Sequence, residues 1–215
     1  MHEQQVRLYS QYLLVKEGKP CWRLAALTEE AFEHILQPIM RKDSLFLEQK
    51  GYEVGVGKFS ILKKDSFQGL EERFWTGTEK IHHIELNFLT STSFKKNEEY
   101  KIFPELPLVF NNLIRKWNVY SDSMVLGEER LGNKLAESMC ITDYRLHTHP
   151  FSVEGRRIRA FRGNIRLGLF KDDITRRMAS MLAAFADYAG IGIKTAMGMG
   201  AVHSDIAYFQ KKERL

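Results

Sequence analysis

Cysteine is nearly absent: Cys21 and Cys140 are the only two in 215 residues, and they stand far apart. Without a Cys-x-x-Cys pair there is no disulfide framework and no thiolate metal site to expect, and two buried free thiols are the simple expectation. Long apolar runs are missing too. The longest, near Met178 to Ala186, falls well short of the roughly 20 residues that span a bilayer, so no membrane partner is expected. The opening Met1-His2-Glu3-Gln4-Gln5 has neither the basic start nor the apolar centre of a secretory signal, which points to the cytoplasm. Nor is charge of one sign in large excess. With 32 Lys and Arg against 27 Asp and Glu, the net +5 permits a polyanionic partner without requiring one.

What is present is enough apolar material, 44% of residues, for one large domain or two small ones. Cations also concentrate locally. Arg156, Arg157, Arg159, Arg162 and Arg166 place five guanidinium groups within 11 residues, where their planar, multi-donor geometry suits phosphate. The competing reading is a strand edge protected by solvated charge.

The hydrophobic pattern begins with a strand from Val6 to Val15, a turn at Gly18-Lys19-Pro20 and a second strand from Cys21 to Leu27. Thr28 with Glu30 then opens a capped helix running to Arg41, with Phe32, Ile35, Leu36 and Ile39 on one face. A short strand near Leu45 to Leu47 completes a β-β-α-β order. Between Tyr52 and Thr78, the alternation of Phe59 and Ile61 and the glycines Gly55, Gly57, Gly69 and Gly77 predict hairpins that bridge two units. From Ile81 the pattern sharpens. Ile84, Leu86 and Phe88 alternate as a strand, and Pro104 to Asn118 carry Leu106, Phe110, Leu113 and Trp117 at helical spacing. Strands at Ile141 to Val153 and Arg157 to Phe170 meet at Glu154-Gly155, a helix capped by Asp172 or Asp173 runs to Ala189, and a strand spans Met199 to Phe209. The second half therefore reads β-α-β-β-α-β, the ferredoxin-like order.

Between the last helix and the last strand, four glycines punctuate Gly190-Ile191-Gly192-Ile193-Lys194-Thr195-Ala196-Met197-Gly198-Met199-Gly200. A helix end and a tight turn need one glycine, whereas four allow a backbone to approach another molecule closely and present its N–H groups to phosphate. The loop is accordingly expected to be exposed. Lys194-Thr195 is no phosphate-binding P-loop, because Ile193 precedes the lysine and the chain runs from helix to strand; a mononucleotide or dinucleotide cofactor is not expected.

Gly190-Ile191-Gly192, five residues, then Gly198-Met199-Gly200 resembles the C-terminal signature of the CRISPR-associated (Cas) repeat-processing endoribonucleases, the sixth Cas family. Further echoes are Thr90-Ser91-Thr92-Ser93-Phe94, Phe103-Pro104 leading to Trp117-Asn118, and Phe161-Arg162-Gly163. Two positions depart from the family pattern: Ser91 stands where proline is usual and Ala160 where glycine often precedes the Phe161 counterpart. The resemblance implies an α+β protein of tandem ferredoxin-like (RRM-like) βαββαβ domains, here 1–78 with its hairpin segment and 79–215 with the glycine loop. It implies precursor CRISPR RNA as partner, with a CRISPR effector complex as a further one, and cleavage within repeats without metal or other cofactor. Gly190, Gly192, Lys194, Thr195, Gly198 and Gly200 with Arg157, Arg159 and Arg162 are the expected RNA-binding residues.

Among seven histidines, only His2 stands where the family places its catalytic histidine, ahead of the strand containing Tyr9 and Tyr12. Arg7 is the only cation between His2 and Lys16, and so the candidate for stabilising the scissile phosphate. His147-Thr148-His149 puts two imidazoles on one strand face without an identifiable third metal ligand, while His82-His83 should point to opposite faces. In the family a strand and a helix precede the catalytic histidine. The first domain is therefore expected to be incomplete, with roughly 30 residues belonging upstream of Met1. A noncatalytic ferredoxin-like subunit that only holds guide RNA in an effector complex is the alternative reading.

Overall fold

A computed structural model describes residues 7–127, 130–153 and 155–209. Strands β1 (Tyr9–Lys16) and β2 (Lys19–Ala26) pair antiparallel around Glu17-Gly18, both at positive φ, the geometry that matches the twist of a two-residue hairpin. Thr28 then caps a helical segment by accepting a hydrogen bond from the Ala31 N–H at 3.1 Å. That segment is α1 (Glu29–Ala31), a π turn over Phe32–Leu36, and α2 (Gln37–Met40). The widened turn lies just before Pro38, which has no N–H to give and would crowd the carbonyl four residues back. Strands β3 (Ser44–Leu47) and β4 (Tyr52–Gly55) form a second two-stranded hairpin.

Part of the bridging segment departs from the hairpins predicted for it. Residues Phe67–Thr76 form helix α3, capped by the Ser66 hydroxyl, which accepts from the Gly69 N–H at 2.9 Å. Phe67, Leu70 and Phe74 recur at helical spacing, and burying that stripe on the second half outweighs the two glycines, one in the first turn and one at the C-terminal end. Phe59 and Ile61 stay exposed in the stretch before it.

The remaining elements are β5 (Ile81–Thr92), the small hairpin β6 (Phe94–Lys96) and β7 (Glu99–Lys101), α4 (Leu106–Tyr120), α5 (Arg130–Ala136), β8 (Met139–Thr148), β9 (Phe151–Val153), β10 (Arg156–Ile158), β11 (Phe161–Leu169), α6 (Asp173–Ala189), a 3-10 turn at Thr195–Met197, and β12 (Val202–Tyr208). Four strands form one antiparallel sheet in the order β12-β5-β11-β8, the interleaved order that a β-α-β-β-α-β chain produces. Helix α5 is an addition that the sequence pattern did not announce. Asp172 caps α6 by accepting from the Thr175 N–H at 2.9 Å.

One face of the sheet is buried: Ile84, Leu86 and Phe88 of β5 and Ile165 and Leu167 of β11 join α3, α4 and α6 in a single apolar cluster. At its centre Trp117 is fully buried, edge-on to Phe67 (centroids 4.9 Å) and to Phe185 (5.3 Å). The opposite face carries charged and polar side chains. The β1–β2 hairpin reaches this body through Ser10, whose hydroxyl donates to the Tyr188 carbonyl, and Gln11, whose amide donates to the Ala196 carbonyl at 2.6 Å.

Two smaller expectations are corrected. Cys21 is only half-buried and Cys140, on the edge strand β8, is exposed. His82 and His83 do not diverge: their Nδ1 atoms are 2.7 Å apart, because the β5–β12 ladder slips where Ile81 meets Tyr208. Among the described residues no helix is long and apolar enough to cross a membrane.

Replacing Trp117 by alanine should cost about 3–5 kcal/mol, since a large fully buried ring leaves a cavity that two neighbouring aromatic residues cannot close. A chemical-denaturation midpoint shift with unchanged slope would register it.

Candidate nucleic-acid interface

The end of β5 is rich in small hydroxyl residues, and Ser91, Thr92 and Ser93 are all buried. The glycine loop lies along it. The Gly200 N–H donates to the Ser91 carbonyl at 2.9 Å, the Ile193 N–H to the Ser93 carbonyl at 3.0 Å, and the Ala201 N–H to the Thr90 hydroxyl at 3.0 Å. The loop also closes on itself, Ile191 N–H to the Gly200 carbonyl at 2.8 Å. At Gly192 a side chain would collide with the Ser93 carbonyl, and at Gly200 with the Ile191 carbonyl; both residues have positive φ.

This corrects the expectation of an exposed loop. Gly190, Gly192 and Gly200 are buried, and their close approach is to the protein's own backbone. What the loop leaves accessible is its middle. Lys194 and Thr195 are half-buried, Met197 is exposed, and Gly198 has only the Phe151 ring edge near a would-be side chain, at 3.9 Å.

Helix α4 clamps the loop from the side. Asn112 accepts from the Gly192 N–H at 2.9 Å and faces its carbonyl at 3.5 Å. One turn on, the Lys116 ammonium group is buried and donates to the carbonyls of Ala189 (3.0 Å) and Gly190 (2.9 Å). Burial, with a small push from Arg115, pulls the Lys116 pKa down from 10.5 to about 7. A neutral amine has two N–H donors, and two carbonyls are there to take them. Neither residue was singled out from the sequence, although a lysine between Leu113, Ile114 and Trp117 on an apolar stripe is the kind of exception that marks a buried polar role.

The arginine cluster is brought to the same place. Ile158 of β10 packs with Ala160, Ile193 and Met199, flanked by Phe151, Val153 and Tyr100, so the β9–β10 hairpin is fixed to the loop. With Ile158 turned inward, Arg156, Arg157 and Arg159 turn out to solvent; Arg162 is exposed on the open face of the sheet. Arg166 is different, bound by Glu85 at 2.5 and 2.7 Å. Arg7 is exposed, and its charge opposes the burial that pushes up the Tyr120 hydroxyl at the end of α4. His2 lies outside the described residues. A contact that sequence reading missed is His149, whose Nδ1 is 2.7 Å from the Ser91 hydroxyl across 58 residues of chain.

Residues 86–202, more than half of the chain, match the family model of the CRISPR-associated endoribonuclease Cas6. A curated Cas6 endoribonuclease of Streptococcus thermophilus is 28% identical over 202 residues, covering 94% of this chain and 82% of its own length. Another, of Mycobacterium tuberculosis (strain ATCC 25618 / H37Rv), is 30% identical over 210 residues, covering 94% of this chain and 64% of its own. A solved Cas6 product complex superposes with a TM-score of 0.77 at 20% identity, over 95% of this chain and 84% of that one.

Gly200→Ala should lower stability more than Gly198→Ala, because the first forces two backbones apart while the second meets only backbone strain in open space. Paired thermal melts would order them. Lys116 sets a pH trend of known sign. Below about pH 7 both states carry the proton and folding bears the full cost of burying a cation; between about 7 and 10.5 only the unfolded chain keeps it, so stability rises with pH. In Lys116→Met that rise should vanish, and the stability of wild type relative to the variant should grow from pH 7 to 10.

Proposed function

The chain belongs to the CRISPR-associated endoribonuclease Cas6 family, and on that premise we propose that it cleaves precursor CRISPR RNA within its repeats to release guide RNAs. The observation that carries the reading is the meeting of the glycine loop with an arginine-bearing hairpin: Arg156 and Arg157 on β10 and Arg159 just after it stand out to solvent, while Ile158 between them packs with Ile193 and Met199. Such a ridge of guanidinium groups, backed by a rigid core, suits a phosphate backbone.

The proposed chemistry needs no metal ion. A base takes the proton of the RNA's 2′-hydroxyl, the oxygen bonds to the adjacent phosphorus, and the bond from phosphorus to the 5′ oxygen breaks as that oxygen receives a proton. The products are a 2′,3′-cyclic phosphate and a free 5′-hydroxyl. An imidazole suits proton transfer because its ordinary pKa, about 6.5, lies near neutrality, and His2 is proposed for that role. Arg7 is proposed to offset the negative charge that builds on the non-bridging oxygens of the phosphate. RNA contact is proposed for Arg157, Arg159, Arg162, Lys194, Thr195 and Gly198. Gly190, Gly192 and Gly200 are assigned instead to shaping the loop that presents them.

Repeat RNA incubated with the purified protein in excess EDTA is expected to be cut at one position, leaving a cyclic phosphate. Protection of the RNA without cutting would favour the noncatalytic RNA-binding subunit. His2→Ala should abolish cutting and leave repeat affinity within a few fold, because one side chain moves the proton while many supply affinity. Full-rate cutting by that variant would remove His2 from the mechanism.

A further inference from the structure

The open face of the four-stranded sheet is divided by charge. Away from the glycine loop Arg166 is neutralised internally, by Glu85. Toward the glycine loop the pattern stops. Among the described residues no carboxylate lies within 4.0 Å of the guanidinium groups of Arg145, Arg159 and Arg162 or of the ring nitrogens of His147 and His149. Arg162 and His147 are direct cross-strand partners, and the rings of His147 and His149 are 6.2 Å apart. Guanidinium groups with no carboxylate beside them leave a positive field that an anion can join, and the imidazole nitrogens beside them can donate hydrogen bonds to it.

His149 is fixed there from two sides. Its N–H donates to the Ala160 carbonyl at 2.8 Å, and its Nδ1 is hydrogen-bonded to Ser91, a buried residue whose carbonyl is itself taken by Gly200. With Nδ1 committed inward on an exposed residue, Nε2 is the ring nitrogen left for another molecule. We propose that His149, oriented by Ser91, contacts the RNA through Nε2 and, with His147 and Arg162, forms a phosphate-binding subsite on the sheet face beside the glycine loop. His149 is thus an RNA-contacting residue and Ser91 a positioning residue. The inference rests on the proposed RNA-processing function and adds to it a contact on the C-terminal sheet, distinct from the residues given the proton transfer.

Asparagine separates the two duties of His149, because its amide can still bond Ser91 but has nothing in place of Nε2. The probe is repeat RNA made uncleavable by a 2′-deoxy sugar at the cut site. His149→Asn should melt as the wild type does and bind this RNA roughly tenfold more weakly. Ser91→Ala, which frees the ring to rotate, should fall between the two. Wild-type affinity in a folded His149→Asn would overturn the subsite and leave the family reading standing. A wild-type protein that neither binds nor cuts repeat RNA would overturn both. Should His149→Asn fail to fold, the Cε1–Hε1 resonance of His149 in the wild-type protein decides: it should move on addition of the RNA, and a stationary signal overturns the proposal.

Discussion

Two stretches of backbone lie side by side with no side chain between them, the glycine loop and the end of β5, and the rest of the site depends on that contact. Gly192 lies against the Ser93 carbonyl and Gly200 against that of Ile191, so the loop's amides can reach Ser91 and Ser93. Everything near it takes its position from there. The loop's Ile193 and Met199 give Ile158 a surface to pack on, which aims the arginine hairpin. Ser91, held by Gly200, in turn holds His149. Four separate sequence echoes converge here: the glycine signature, the Thr90–Phe94 run, helix α4 through Asn112 and Lys116, and Phe161, whose ring meets Phe88 at 4.9 Å.

The electrostatics follow the same geometry. Carbonyls at the end of α6 are a partly negative site, and Lys116 is the group that satisfies them. Its burial makes the positive charge costly, so the clamp takes up or gives up its proton near neutrality. The outward arginines face the opposite situation, exposed to solvent. Inside the loop, a buried lysine binds backbone carbonyls; outside it, exposed guanidinium groups face solvent.

How much of this the residues announce depends on whether the signal is local. The alternation of Ile84, Leu86 and Phe88 and the long stripe of α6 report a large buried face, and those elements stand where the pattern puts them, within two or three residues at their ends. Helix α3 was obscured because only Leu70 and Phe74 of its ten residues are fully buried, and a glycine sits in its first turn. The seven-residue α5 offers a shorter pattern still. The glycine loop was legible as a place of close approach, but glycine does not say what approaches; three of its four glycines turned inward. The pairing of Ser91 with His149 spans five intervening elements, β6 to β8, and leaves no periodic trace.

The β9–β10 hairpin is secured near its base, where Ile158 and Phe151 meet the loop, while a side chain added at Gly155 in its turn would touch nothing within 4 Å. The parts that must not change and the parts that can are thereby separated within the eight residues from Phe151 to Ile158. Drift at the tip, in length or in charge, leaves the packed base untouched and alters only the outward ridge. On the proposed function, a lineage whose RNA repeats diverge can follow them by rewriting this one turn, with the packing beneath inherited intact.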